Sequence, residues 1–120
     1  MRERRRYPRV PRAVKLQVQE GVAPIATSTV NISCGGVLCW LDYPLAPMTK
    51  VAITLALPKR RIECTGAVVR CEPAPAAAIR HRGRYRVAFF FLELARPDHR
   101  AIAEFVLQSM MRRANGHRRP

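Results

Sequence analysis

Val51-Ala52-Ile53-Thr54-Leu55-Ala56-Leu57-Pro58 sets large apolar residues against small ones at a strict period of two. A helix would repeat its apolar residues every three to four positions, so this period describes a strand with one buried face. Pro58 has no backbone N–H to give a neighbouring strand and ends the run. Upstream, Val14, Leu16 and Val18 alternate with Lys15, Gln17 and Gln19 in the same way. After a turn at Gly21 to Pro24, residues Ala26 to Ile32 read as a second strand, since Thr27, Thr29 and Val30 suit a pleated surface. Val37 to Leu41 is apolar at every position and predicts a strand covered on both sides, with Trp40 in the core.

Downstream, Lys59-Arg60-Arg61 makes a basic turn into a fifth strand with Ile62, Cys64, Gly66 and Val68 on one face. A glycine inside a strand marks a bulge or bend, which a closed sheet needs at its corners. Pro73 to Ala78 is a low-complexity loop, and Tyr85 to Leu92 forms a sixth strand. Its Phe89, Phe90 and Phe91 are expected in the core and against a helix rather than as a stacking platform. The period then changes. Pro97-Asp98 can open and cap a helix, Ile102, Phe105, Val106 and Met110 form one stripe, and Gly116 is a stop signal. The expectation is a mainly β fold, a six-stranded antiparallel β-barrel with one C-terminal α-helix. It divides into a flexible basic arm over 1–12, the barrel and helix over 13–114, and a basic tail over 115–120.

Charge is the unusual feature of the composition. Twenty-two Lys+Arg against eight Asp+Glu leave the 120-residue chain at +14. Such a field draws nucleic acid, nucleotides, acidic lipid or an acidic protein face. Arg80, Arg82, Arg84 and Arg86 fall at alternate positions and would share one face of an extended segment. Cys34, Cys39, Cys64 and Cys71 contain no Cys-x-x-Cys pair, and the three histidines are not clustered with them, so no metal site is expected. The chain opens on charges rather than an apolar signal segment, and no run approaches the ~20 apolar residues of a membrane span. These features predict a cytoplasmic location with free thiols.

Two segments carry the functional reading. Asn31-Ile32-Ser33-Cys34-Gly35-Gly36 is a polar turn between two strands, and Arg4-Arg5-Arg6-Tyr7-Pro8-Arg9 is a basic arm ahead of the first strand. A guanidinium offers a planar fork that fits phosphate oxygens or guanine O6 and N7. The Asn31 amide can accept from a guanine N–H, the Ser33 hydroxyl adds a contact, and paired glycines permit close approach and positive φ. Such groups suit a ligand with both guanine edges and phosphates. Catalysis lacks parts: the acids are scattered, and the turn is no P-loop, since it has no Lys-Ser/Thr ending and leads into a strand.

The two segments together resemble the PilZ domain, a bacterial receptor for the second messenger cyclic di-GMP. That family's pattern is an Arg-x-x-x-Arg arm followed, after a spacer, by Asp/Asn-x-Ser-x-x-Gly. Here Arg5 and Arg9 match the first half, and Asn31, Ser33 and Gly36 the second. Arg2 and Arg6 have the same spacing, but Pro8-Arg9-Val10 leads straight into the first strand and favours the Arg5–Arg9 register. The resemblance runs over nearly the whole chain, including Gly66 to Arg70 and Ala88 to Leu92. It implies a non-enzymatic receptor whose arm, loose without ligand, wraps onto the barrel and relays cyclic di-GMP level to an unidentified downstream protein. Arg4 and Gly35 are secondary site candidates, Arg4 because an arginine there looks like the variant that accepts a stacked ligand pair. Three departures stand out. Asn31 replaces the commoner Asp, Ala88 a usual Gly, and the turn near Thr49 lacks its usual Gly. The alternative from composition is a basic small barrel that binds nucleic acid.

Overall fold

The computed structural model describes residues 8–76 and 83–118. Six strands, β1 (Lys15–Gln19), β2 (Pro24–Ile32), β3 (Gly36–Leu41), β4 (Lys50–Ala56), β5 (Arg61–Pro73) and β6 (Tyr85–Glu93), precede one helix, α1 (Arg96–Arg118). The strands close into a barrel in the order β1-β2-β3-β6-β5-β4, every pair antiparallel. Closure leaves no strand edge unpaired, so the barrel offers no template for edge-to-edge aggregation.

The period-two runs behave as their side chains require. Leu16 and Val18 of β1 lie across from Leu55 and Ile53 of β4, and all four are buried. Lys15, Gln17, Ala52 and Ala56 alternate with them on the outer face. The β5–β6 pairing shifts register twice, with Leu92 of β6 as the extra residue opposite Thr65/Gly66 and Val69 of β5 as the extra residue opposite Phe89/Ala88, and these shifts supply the bends that a six-stranded barrel needs. Gly66 stands at the first shift, as its place in the strand predicts, but the extra residue there belongs to the facing strand β6.

In this antiparallel order β2, β4 and β6 end, and β1, β3 and β5 begin, at one rim of the barrel. The helix leaves β6 there and sends Ile102, Phe105 and Val106 into the core cluster with Val10, Val14 and Leu57. The buried stripe is Ile102, Phe105, Val106 and Ser109, spaced i, i+3, i+4 and i+7. Met110, expected in it, is 41% exposed because it falls one residue past the stripe. Asp98 accepts Arg60 Nε at 2.7 Å and ties the start of α1 to the β4–β5 turn. Gly116 does not end the helix, which continues to Arg118 and so beyond the expected boundary at 114.

Two apolar segments depart from expectation. Only Val37, Cys39 and Leu41 of β3 are buried, while Leu38 and Trp40 are half-buried on the outer face. Among the described residues no element adds a second layer there, because α1 closes the rim rather than a flank. Trp40 is therefore outside the core, in a shallow groove with Lys15, Gln17, Ala26 and Arg61. In β6, Phe89 and Phe91 are buried but Phe90 is 52% exposed, as strict alternation requires. At the turn before β4, where the family's glycine is missing, Met48 holds φ 72°, a left-handed conformation rarely taken by a side-chain-bearing residue.

Candidate functional site

The arm meets the barrel through a backbone pair. Val10 N–H donates to the Ile32 carbonyl at 3.0 Å, and Ile32 N–H returns the bond to the Val10 carbonyl at 3.0 Å. Both side chains enter the core, at 1% and 0% exposure. The arm thus continues the β1 edge alongside the end of β2, and one step along this antiparallel pairing sets half-buried Arg9 across from Ser33. Below this pair, the buried Thr29 hydroxyl donates to the Arg12 carbonyl at 2.5 Å and accepts Val14 N–H at 2.9 Å. Arg5 and Arg4, like the alternative pair Arg2 and Arg6, lie outside the described residues.

Asn31 owes its position to a bulge. Thr29 pairs with Cys39 but Asn31 pairs with Leu38, so β2 spends two residues against one of β3. That extra residue shifts the side-chain phase, which is why Thr29 and Ile32, three apart, are both buried. Asn31 is left half-buried at the rim beside the pinned arm. Nothing in the sequence marks this bulge, since Val30 is an ordinary strand residue.

Ser33 organises the turn from within. Its N–H donates to the Gly36 carbonyl at 2.9 Å, while its hydroxyl accepts Gly35 N–H at 3.1 Å and Gly36 N–H at 3.3 Å. The hydroxyl also donates to the Gly36 carbonyl at 3.4 Å, and Ser33 is 8% exposed. This side-chain-to-backbone closure is the usual work of a turn serine. Gly36 is needed for a reason other than positive φ, which it does not adopt. A Cβ there would lie 2.0 Å from the Phe89 carbonyl oxygen, so only glycine lets β3 start this close to β6. The Gly35 carbonyl accepts Phe91 N–H at 2.9 Å and holds the turn against that strand.

A second arginine, not singled out by its motif, links the site to the helix. Arg12 donates to Ser109 Oγ at 2.9 Å, and its guanidinium sits 4.9 Å from the centroid of the Phe105 ring. Ser109 in turn donates to the Phe105 carbonyl at 2.8 Å. The i, i+3, i+4, i+7 rule could have found Ser109 on the buried stripe; no sequence rule pairs it with Arg12. Arg12 also walls a groove between α1 and the β4–β5 turn, lined by Lys59, Arg60, Phe105, Met111 and Arg112.

Elsewhere the chemistry is quiet. Cys34, Cys39, Cys64 and Cys71 are all free thiols. Burial raises the Cys34 pKa and pushes Cys39 up to about 12, while Cys64 rises to about 11 through burial and then the negative charge of Asp98. Thiols so shifted stay protonated near neutrality and are poor nucleophiles and metal ligands. Among the described residues no cluster of His, Cys, Asp and Glu could hold a metal ion, and no helix is long and apolar enough to cross a membrane. Of the alternate arginines, Arg86 pairs with Glu72 at 3.4 Å and Arg84 is exposed, whereas Arg80 and Arg82 lie outside the described residues.

Comparison with known proteins agrees with this geometry. The family model described as the PilZ domain matches residues 3–108. Among solved structures, the Bacillus subtilis inhibitor of motility MotI/DgrA superposes with a TM-score of 0.79 at 23% identity, covering 92% of this chain and 52% of that one. The PilZ domain of YcgR from Escherichia coli, solved with c-di-GMP, gives 0.73 at 14% identity, covering 98% of this chain and 100% of that one. The K. pneumonia MrkH–c-di-GMP complex gives 0.65 at 18% identity, covering 95% and 56%. The chain therefore spans about half the length of MotI and MrkH. The search of curated proteins returned no match. A family match over nearly the whole barrel, on a fold that pins an arginine arm beside an Asn-x-Ser-x-x-Gly turn, makes the chain a member of the PilZ domain family.

Proposed function

We propose that the chain is a cytoplasmic cyclic di-GMP receptor without catalytic activity of its own, which passes second-messenger level to a downstream protein. The observation that supports this reading is the Val10–Ile32 pair, which joins the arm just after Arg9 to the end of β2 just before Ser33. Arg9, with Arg5 ahead of it, supplies charge-assisted bonds to phosphate and to the guanine edge that carries O6 and N7. Asn31 meets a guanine edge as a neutral donor and acceptor. Ser33 and Gly36 act through the turn they shape, Ser33 by closing it and Gly36 by letting it lie against β6. Arg4 and Gly35 are secondary contacts, Arg4 as a cation over a base. Two of the structural relatives, YcgR and MrkH, were solved with this ligand, which supports the choice among guanine-bearing anions.

Calorimetric titration of purified protein with cyclic di-GMP, GTP and a short oligonucleotide, each at moderate and high salt, tests the proposal. We expect selective cyclic di-GMP binding that largely survives high salt. Binding to the oligonucleotide alone, falling steeply with salt as counterion release demands, would replace the receptor with a nucleic-acid barrel.

A further inference from the structure

We propose that Phe90, which the family motif does not include, is the surface on which one guanine of the ligand stacks; this rests on the cyclic di-GMP reading above. Alternation along β6 sends Val87, Phe89 and Phe91 inward and turns Phe90 out, where it is 52% exposed. A single exposed aromatic on a barrel is ordinary. The position of this one is not.

Phe90 pairs across the sheet with Gly36, the last residue of the motif, and on its other side with Ala67. An aromatic on a sheet surface normally packs against its cross-strand partners. Here one partner has no side chain and the other only a methyl, so neither covers the ring. The ring's strand is also fixed to the turn, through Phe91 N–H to the Gly35 carbonyl at 2.9 Å and through the close approach at Gly36. A platform that must hold a planar base needs that rigidity.

The strand order completes the argument. Arm, β2, β3 and β6 lie side by side, so Arg9 and Phe90 bracket the turn from opposite sides. They are three strand spacings apart, about 14 Å. Arg9 serves phosphate and a guanine edge, and the turn serves a second edge; with Arg4 as a cation over one base, the flat face of the other is still open. Phe90 supplies that face. Trp40, the other outward aromatic among the described residues of these strands, sits four residues further along β3 across from Arg86, away from the turn.

Titration of cyclic di-GMP into wild type, Phe90→Ala, Phe90→Leu and Phe90→Tyr tests the assignment. We expect Ala and Leu each to weaken binding about tenfold, a typical loss for one base–aromatic stack, and Tyr to bind like wild type. Leu separates stacking from plain apolar contact, because it keeps apolar bulk and loses the π face. Melting temperatures should match wild type, since the ring is outside the core. In a Trp40→Phe background, Phe90→Trp should lose fluorescence as the ligand saturates. If wild type binds and Phe90→Ala binds equally well, or Leu matches Tyr, the stacking role is wrong while the receptor reading survives. If wild type does not bind at all, the receptor reading fails and this inference with it.

Discussion

Gly36 shows how a motif residue can be demanded by the fold itself. The sequence marks it as a motif glycine and suggests freedom of φ; the structure gives it an ordinary φ and a backbone contact that leaves no room for a methyl. The obstacle is a carbonyl oxygen of β6, which no side-chain rotation can move. Gly36→Ala is expected to cost about 3 kcal/mol by forcing the two strands apart. For a domain of this size that corresponds to a loss of roughly 10 °C in melting temperature. A thermal melt followed by circular dichroism checks it, and an unchanged midpoint would mean β3 and β6 are not packed as described. Ser33 was legible as part of a polar turn by type and spacing. That its hydroxyl is occupied inside the turn was not, because such bonds depend on the path of the backbone.

At the scale of elements, the strands were readable because each alternating run has only one face that can be buried. The third strand and Phe90 were misread for the same reason. An unbroken apolar run suggests two covered faces, and α1, spent on closing the rim, leaves the outer residues of β3 and β6 half-buried or exposed among the described residues. The docking of α1 onto the arm was invisible in the sequence, since 97 residues separate Arg12 from Ser109. Removing that link should loosen the helix and leave the barrel standing. Arg12→Ala is expected to destabilise by about 1–2 kcal/mol, from one charged hydrogen bond and a cation–π contact. Hydrogen exchange in the second half of α1 should speed up, with β4 and β5 unaffected. Uniform exchange across the chain would show that Arg12 is not the tether. Arg12→Lys should recover only part of the loss, because a lysine cannot lay a planar fork over the Phe105 ring.

For the whole molecule, net charge pointed to an anionic partner and could not say which. The choice came from two short segments that the closed barrel brings to one rim, through a bridge that two isolated residues form between the arm and β2. Arm and turn were each legible in the chain; their contact is a property of the topology. Nucleic-acid binding and second-messenger binding share the arginines, and what separates them is whether the arginine and the turn act on the same small ligand. A double-mutant cycle on cyclic di-GMP affinity with Arg9→Ala, Asn31→Ala and the double variant measures this. Arg9→Ala alone should cost about 2–3 kcal/mol, a loss of roughly 30- to 150-fold. If both residues hold one ligand, the two losses should fail to add by at least about 0.5 kcal/mol. Strict additivity, or an Arg9→Ala variant that binds like wild type, would contradict the account.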